Sequence, residues 1–187
     1  MYELIVIGVS AGGMQALSKL LPALPVNFKI PVVVVQHIGA NNNDYLPTYY
    51  SKICHLPVSW ANPGMSIAEC HIYFAPPDYH LLVENDRTFN LSVDDRVNHS
   101  RPSIDVLFDS AADVFREKLV GVILTGANND GSKGLRNIKN YNGLALVQDP
   151  GDAEVEIMPQ AAIETVEVEK TYSLKELKLL LMRLHNE

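Results

Sequence analysis

Ser10 stands between two glycines in the run Gly8-Val9-Ser10-Ala11-Gly12. A serine in a G-x-S-x-G setting, after an apolar run and before a segment of helical spacing, is the nucleophile-elbow pattern. Glycine permits the close backbone approach and unusual dihedrals of a tight strand-to-helix turn. Such a turn lifts the hydroxyl out of the sheet and sets it near a helix N-terminus. The same turn fits two other roles. Glycine-rich loops after a first strand also cradle phosphate, and a tight turn needs no chemistry at all. The dinucleotide fingerprint would require glycine at positions 10 and 13, but position 10 is serine. No Gly-Lys-Ser/Thr phosphate loop is present. On this motif alone, catalytic serine, phosphate cradle and structural turn all stand open.

Two further residues have the types a serine nucleophile needs. His37 follows Val32-Val33-Val34-Val35-Gln36, and Asp130 lies in the loop after Val122-Ile123-Leu124. A serine hydroxyl is too weakly acidic to attack a carbonyl unaided. An imidazole in reach takes its proton, and a carboxylate on the other ring nitrogen fixes the tautomer and stabilises the imidazolium. The order Ser, His, Asp differs from that of the α/β-hydrolases and of the familiar serine proteases, but triads are recognised by geometry. Each residue also has a plainer reading: His37 as a core histidine satisfied by backbone, Asp130 as a turn or cap residue beside glycine. The remaining histidines, His55, His71, His80, His99 and His185, show no H-x-H or H-E-x-x-H spacing, so neither metal nor cofactor is expected.

The elements that must position these residues alternate along the chain. Strands are expected over Leu4–Gly8, Pro31–Gln36, Val120–Leu124 and Leu144–Val147, with a further one over Thr165–Val168. Helices are expected over Met14–Leu21, residues 44–53, from Ser103 as N-cap through Phe115, from about Lys133, and at the C-terminus along Leu174, Leu177, Leu181 and Leu184. A short segment lies near Pro159–Ile163. The middle of the chain reads differently. His71–Ala75, Tyr79–Glu84 and Thr88–Val93 look like strands, and Asn85-Asp86-Arg87 supplies a turn. This predicts one doubly wound, mostly parallel α/β sheet with helices on both faces and a local antiparallel hairpin inserted in it. Ligands of such sheets bind beyond the carboxyl ends of the strands, where Ser10, His37 and Asp130 all fall.

Composition removes several function classes. The chain has 187 residues, 47% of them apolar, enough for one domain with a real core and too many for a disordered protein. Its formal charge of −7 disfavours nucleic acid and anionic membrane surfaces as partners. Cys54 and Cys70 fit no C-x-x-C spacing and read as reduced thiols. No apolar run reaches the length of a membrane span, and no basic segment opens the chain, so a cytoplasmic protein is expected.

Several separate motifs, in order, resemble the catalytic domain of the chemotaxis protein-glutamate methylesterases. They are Gly8-Val9-Ser10-Ala11-Gly12-Gly13, Val33-Val34-Val35-Gln36-His37, Tyr73-Phe74-Ala75-Pro76-Pro77-Asp78-Tyr79-His80, Asn98-His99-Ser100-Arg101-Pro102-Ser103-Ile104-Asp105-Val106-Leu107-Phe108, Leu124-Thr125-Gly126-Ala127-Asn128-Asn129-Asp130-Gly131 and Met158-Pro159-Gln160-Ala161-Ala162. The resemblance spans roughly residues 3–185 of a domain taken as 1–187. It implies Ser10 as nucleophile, His37 as general base and acid, and Asp130 as its orienter. The implied reaction removes methyl groups from glutamate side chains of chemoreceptor cytoplasmic regions through an acyl-enzyme, with glutamine deamidation as the same acyl transfer. The elbow nominates the Ala11 amide, and the family pattern the Ala127 amide, as oxyanion donors. Arg101 is a candidate contact for an acidic receptor surface or a cap or ion-pair residue within the domain, and His80 a candidate cleft residue or one that packs the hairpin.

The chain departs from the family pattern at two points. The usual Thr-Gly-Met-Gly-x-Asp-Gly loop carries Ala127 and Asn128 in place of Met and the second Gly. If that glycine has positive φ, asparagine is the next most tolerant residue. The family's N-terminal receiver domain also has no room here, because the first strand begins by residue 3. The chain then reads either as a stand-alone member, which would lack that phosphorylation switch in cis, or as part of a longer protein, and a separate receiver protein or domain is a candidate partner. A phosphate- or nucleotide-binding module and a catalytically silent interaction domain are the competing readings.

Overall fold

The computed structural model describes residues 1–37 and 45–185. Among the described residues eight strands form, in chain order: β1 (Leu4–Val9), β2 (Val32–Gln36), β3 (Val58–Trp60), β4 (Ile72–Phe74), β5 (His80–Val83), β6 (Phe89–Ser92), β7 (Leu119–Ile123) and β8 (Leu144–Val147). Six of them make one sheet in the order β3-β4-β2-β1-β7-β8, and every pairing in it is parallel. The helices are α1 (Gly13–Leu20), α2 (Tyr45–Tyr50), α3 (Ile104–Phe115), α4 (Ser132–Asn140), α5 (Ile157–Thr165) and α6 (Leu174–Leu184).

The pleat explains why both faces are covered. Successive side chains of a strand point to opposite faces, and β1 is apolar on both. Leu4 and Val6 pack with Ile104, Leu107 and Phe108 of α3. Ile5, Ile7 and Val9 pack with Leu17 and Leu20 of α1 and with Leu177 and Leu181 of α6. A parallel sheet buried on both sides is what an unbroken run such as Val32–Val35 requires.

Three expectations need correction. The antiparallel hairpin β5–β6 forms, but it is a separate two-stranded sheet and is not inserted in the large one. Its Leu81, Val83 and Phe89 are buried in the α3-side core, and Ser110 of α3 accepts the Val83 amide at 3.1 Å. The strand expected over Thr165–Val168 does not form. Thr165 is the last residue of α5, and the Val168 amide turns back onto the Val166 carbonyl at 2.8 Å. An amide closed in so tight a turn cannot join a ladder. The sheet is extended there only by a parallel bridge between Gln148 and Tyr172. The short β3, held between Pro57 and Ala61 against β4, was not foreseen, because three residues carry no periodicity. The helix expected over 44–53 ends at Tyr50, and residue 44 lies outside the described residues.

Candidate active site

Strand order brings the three sequence motifs to one edge. β1 is central, flanked by β2 and β7, in a register that opposes Val9 to Gln36 and Gly8 to Ile123. The ladders run past the strand ends. The His37 amide donates to the Val9 carbonyl at 3.0 Å, and the Ser10 amide to the Thr125 carbonyl at 3.0 Å. Ser10 is thereby clamped between the chain leading to His37 and the loop leading to Asp130.

The elbow depends on two glycines for different reasons. Gly8 lies within the strand, and a Cβ there would meet Ile104 Cγ2 at 2.4 Å, so its absence lets α3 sit close to β1. Gly12 has φ +78, and its Cβ would meet Thr125 Oγ1 at 2.9 Å. It is the left-handed residue from which α1 starts.

Asp130 organises the site. Among the described residues its carboxylate accepts five hydrogen bonds: His37 Nε2 at 3.0 Å, Asn98 Nδ2 at 3.0 Å, Ser103 Oγ at 2.8 Å, and the amides of Ile104 at 2.6 Å and Asp105 at 3.2 Å. The two amides belong to the first turn of α3, where helix N–H groups lack partners and the dipole favours an anion. The plain reading of Asp130 as a cap is met, though the helix capped is α3 and not its own, and the same carboxylate holds His37 Nε2. Burial pushes this carboxyl up, but donors from His37, Asn98, Ile104 and Ser103 outweigh it and hold it below its usual range. Asp105, behind it, is pushed up by burial first, and by the Asp130 charge in addition. It is steadied by the Gly134 amide and Asn98.

Ser103 is the foreseen N-cap and accepts from the Val106 amide, while its hydroxyl donates to Asp130. Ser103→Ala is expected to destabilise the protein by roughly 1 kcal/mol. It should also move acid unfolding to higher pH, since Asp130 loses a donor that depresses its pKa. Thermal unfolding at pH 7 and pH 4 checks both.

His37 is nearly buried, its side chain 13% exposed. With Nε2 on Asp130, its free chemistry is at Nδ1, which has Asn128 Nδ2 at 3.4 Å. Ser10 Oγ makes no hydrogen bond among the described residues. The Ala11 and Ala127 amides likewise donate to nothing among the described residues. Each belongs to a peptide fixed through its carbonyl: Ser10 O accepts from Gly13 N at 2.9 Å, and Gly126 O from Met158 N at 2.9 Å. A trans peptide with its carbonyl anchored aims its N–H the opposite way, leaving two oriented donors. A cleft of about 320 Å³ opens beside the elbow, lined by Gly12, Thr125, Lys19, Lys175 and Lys178 among others.

The other two side-chain candidates, His80 and Arg101, are hydrogen-bonded within the fold. His80 is 2% exposed, beneath α3. Its Nδ1 accepts the Ser103 amide at 3.2 Å and its Nε2 meets the Asp95 carbonyl at 3.0 Å. Arg101 donates to the carbonyls of Val93 and Asp94 at 2.8 and 3.0 Å. Asn128 is not among the residues with positive φ, so its tolerance of that region is not called upon. Sequence reasoning missed Asn98 as a donor bridging Asp105 and Asp130, and Thr125, whose hydroxyl ties the Ala11 carbonyl at 2.8 Å to the Val155 amide at 2.9 Å. Asn98 lay inside a quoted motif, but no spacing rule distinguishes such a donor.

Known proteins share this sequence and this fold. The family model described as CheB methylesterase matches residues 5–181. A Leptospira interrogans relative is 51% identical over 183 residues, covering 98% of this chain and 95% of its own length. A Thermotoga maritima protein named protein-glutamate methylesterase/protein-glutamine glutaminase is 36% identical over 165 residues, covering 87% of this chain and 48% of that protein. The crystal structure of the Thermotoga maritima CheB methylesterase catalytic domain superposes with a TM-score of 0.91 at 33% identity, over 98% of this chain and 99% of that one. Family model, whole-length relative and solved fold converge, and the chain belongs to the CheB methylesterase family.

Proposed function

We propose that this protein is a protein-glutamate methylesterase that also deamidates glutamine, acting on the cytoplasmic region of chemoreceptors. The observation that carries the mechanism is the 3.0 Å pair of His37 Nε2 and Asp130, set one strand from Ser10. Asp130 accepts the Nε2–H, so the Nδ1 lone pair is the base. Ser10 Oγ attacks the γ-carbonyl carbon of a methylated glutamate while its proton passes to Nδ1. The carbonyl oxygen becomes an oxyanion on the Ala11 and Ala127 amides. As the C–O bond to methoxide breaks, the Nδ1 proton goes to the leaving oxygen and methanol departs. Water then attacks the acyl-enzyme while one of its protons passes to Nδ1, and Nδ1 hands that proton to Ser10 Oγ as the acyl C–O bond breaks, freeing the glutamate and restoring the serine. With glutamine the same steps release ammonia.

The phosphate-cradle reading loses support from the turn itself. The Ser10 and Gly13 amides are both used inside the fold and are not available to a phosphate. Among the described residues no helix is long and apolar enough to cross a membrane. A receiver domain, in this chain's own protein or a separate one, is the regulator consistent with the family. The test is methanol release from a methylated chemoreceptor cytoplasmic fragment, with ammonia release from the unmodified glutamine form alongside. Release of both supports the reading. A folded protein that releases neither and whose Ser10 resists a fluorophosphonate probe would sink it.

A further inference from the structure

We propose that Asn128 is a resting latch on the base, holding the one His37 nitrogen that Ser10 must use; this rests on the triad proposed above. The orientation of the Asn128 amide follows from its partners. The Asp130 amide donates to Asn128 Oδ1 at 3.1 Å. An N–H can donate only to the oxygen, so the amide nitrogen is the atom facing His37 Nδ1 at 3.4 Å. That nitrogen is a donor only. It meets the ring at the single lone pair left once Nε2–H is committed to Asp130.

An imidazole nitrogen accepts one in-plane hydrogen bond. The Ser10 hydroxyl and the Asn128 amide therefore compete for the same lone pair. In this structure Asn128 faces it, and Ser10 Oγ has no hydrogen-bond partner among the described residues. Loop 126–131 is held independently of this contact, through Gly126 to Val155, Met158 to Gly126, and Asp130 to α3. Asn128 also stands at one of the two positions where this loop departs from the family pattern. Engaging Ser10 requires the amide to yield the nitrogen, so each turnover begins by exchanging one hydrogen bond for another.

The experiment measures the acylation rate of Ser10 by a fluorophosphonate at pH 7, which needs no receptor, and methanol release beside it. Variants are Asn128→Ala, Asn128→Ser and Asn128→Asp. Ala removes the latch. Ser removes it but keeps a short oxygen to accept the Asp130 amide. Asp keeps that acceptor and turns the donor facing Nδ1 into an anionic acceptor, which with Asp130 favours the imidazolium. A typical net hydrogen bond of about 1 kcal/mol sets the expected gain for Ala and Ser at roughly 3- to 10-fold over wild type. Asp should fall below wild type. If Ala and Ser are slower than wild type while Asp matches it, Asn128 only braces the loop and the latch is wrong. If no form is labelled although all are folded, the triad reading itself has failed.

Discussion

Ser10→Ala is expected to lower methanol release by on the order of 10⁵-fold or more while leaving the fold intact. Removing the nucleophile of a serine relay costs about as much as removing the whole relay, because the members act as a unit. What survives is the contribution of the oxyanion donors and of binding. The fold should not notice. Ser10 is held through its backbone, by its amide to Thr125 and its carbonyl to Gly13, and its hydroxyl bonds to no described residue. Stability should stay within about 0.5 kcal/mol of wild type. Methanol release and thermal unfolding of the same preparation check both halves. Full activity in the alanine variant would remove Ser10 from the mechanism.

Asp130→Asn should be damaging in both respects. The carboxylate receives five donors on two oxygens, and asparagine offers one oxygen and an amine. Whichever way the amide turns, at least two N–H or O–H groups face a donor, each costing roughly 1–3 kcal/mol when left unpaired. His37 is worse placed still, because an amine opposite Nε2 favours the tautomer with its proton on Nδ1, where the base must be free. A loss of roughly 10⁴ in kcat is expected from the tautomer effect alone, together with a lowered Tm. The pH dependence has a definite sign. Asp130 is depressed in the folded protein, so its charge contributes stability above the ordinary value of 3.8, and that contribution is lost as pH falls through the folded value. Wild type and variant should differ by a constant amount at neutral pH and converge in acid. Unchanged kcat, measured well below the variant's Tm, would show that Asp130 is a cap and nothing more.

The legible parts of this chain were those with a local signature. The unbroken valines of β2 announced a strand buried on both faces, and Ser103 with the spacing Ile104, Leu107, Phe108, Ala111 announced α3 and its cap. Ser10, His37 and Asp130 were visible as strand-end residues of suitable chemistry. Their placement at one sheet edge depended on β1 lying between β2 and β7, which no single segment encodes. The misses share one cause. Whether β5–β6 joined the large sheet, whether Val166–Val168 paired, and what Asn98 and Asn128 bonded to were all decided by distant partners. His80 shows the same limit from the other side: the sequence left cleft and hairpin packing both open for it, and burial under α3 sets it against Ser103.

The central placement of β1 has a consequence for how activity arises. The pairing of β1 with β2 joins residues close in sequence, whereas β1 with β7 closes a loop from Leu4 to Leu119, and such distant pairings form slowly. Until that seam closes, Ser10 and His37 can be neighbours with no carboxylate behind them. Return of esterase turnover after dilution from denaturant is therefore a clock for the β1–β7 seam. It should lag the return of helical circular dichroism, and a nascent chain should acquire no catalysis before residue 130 has left the ribosome.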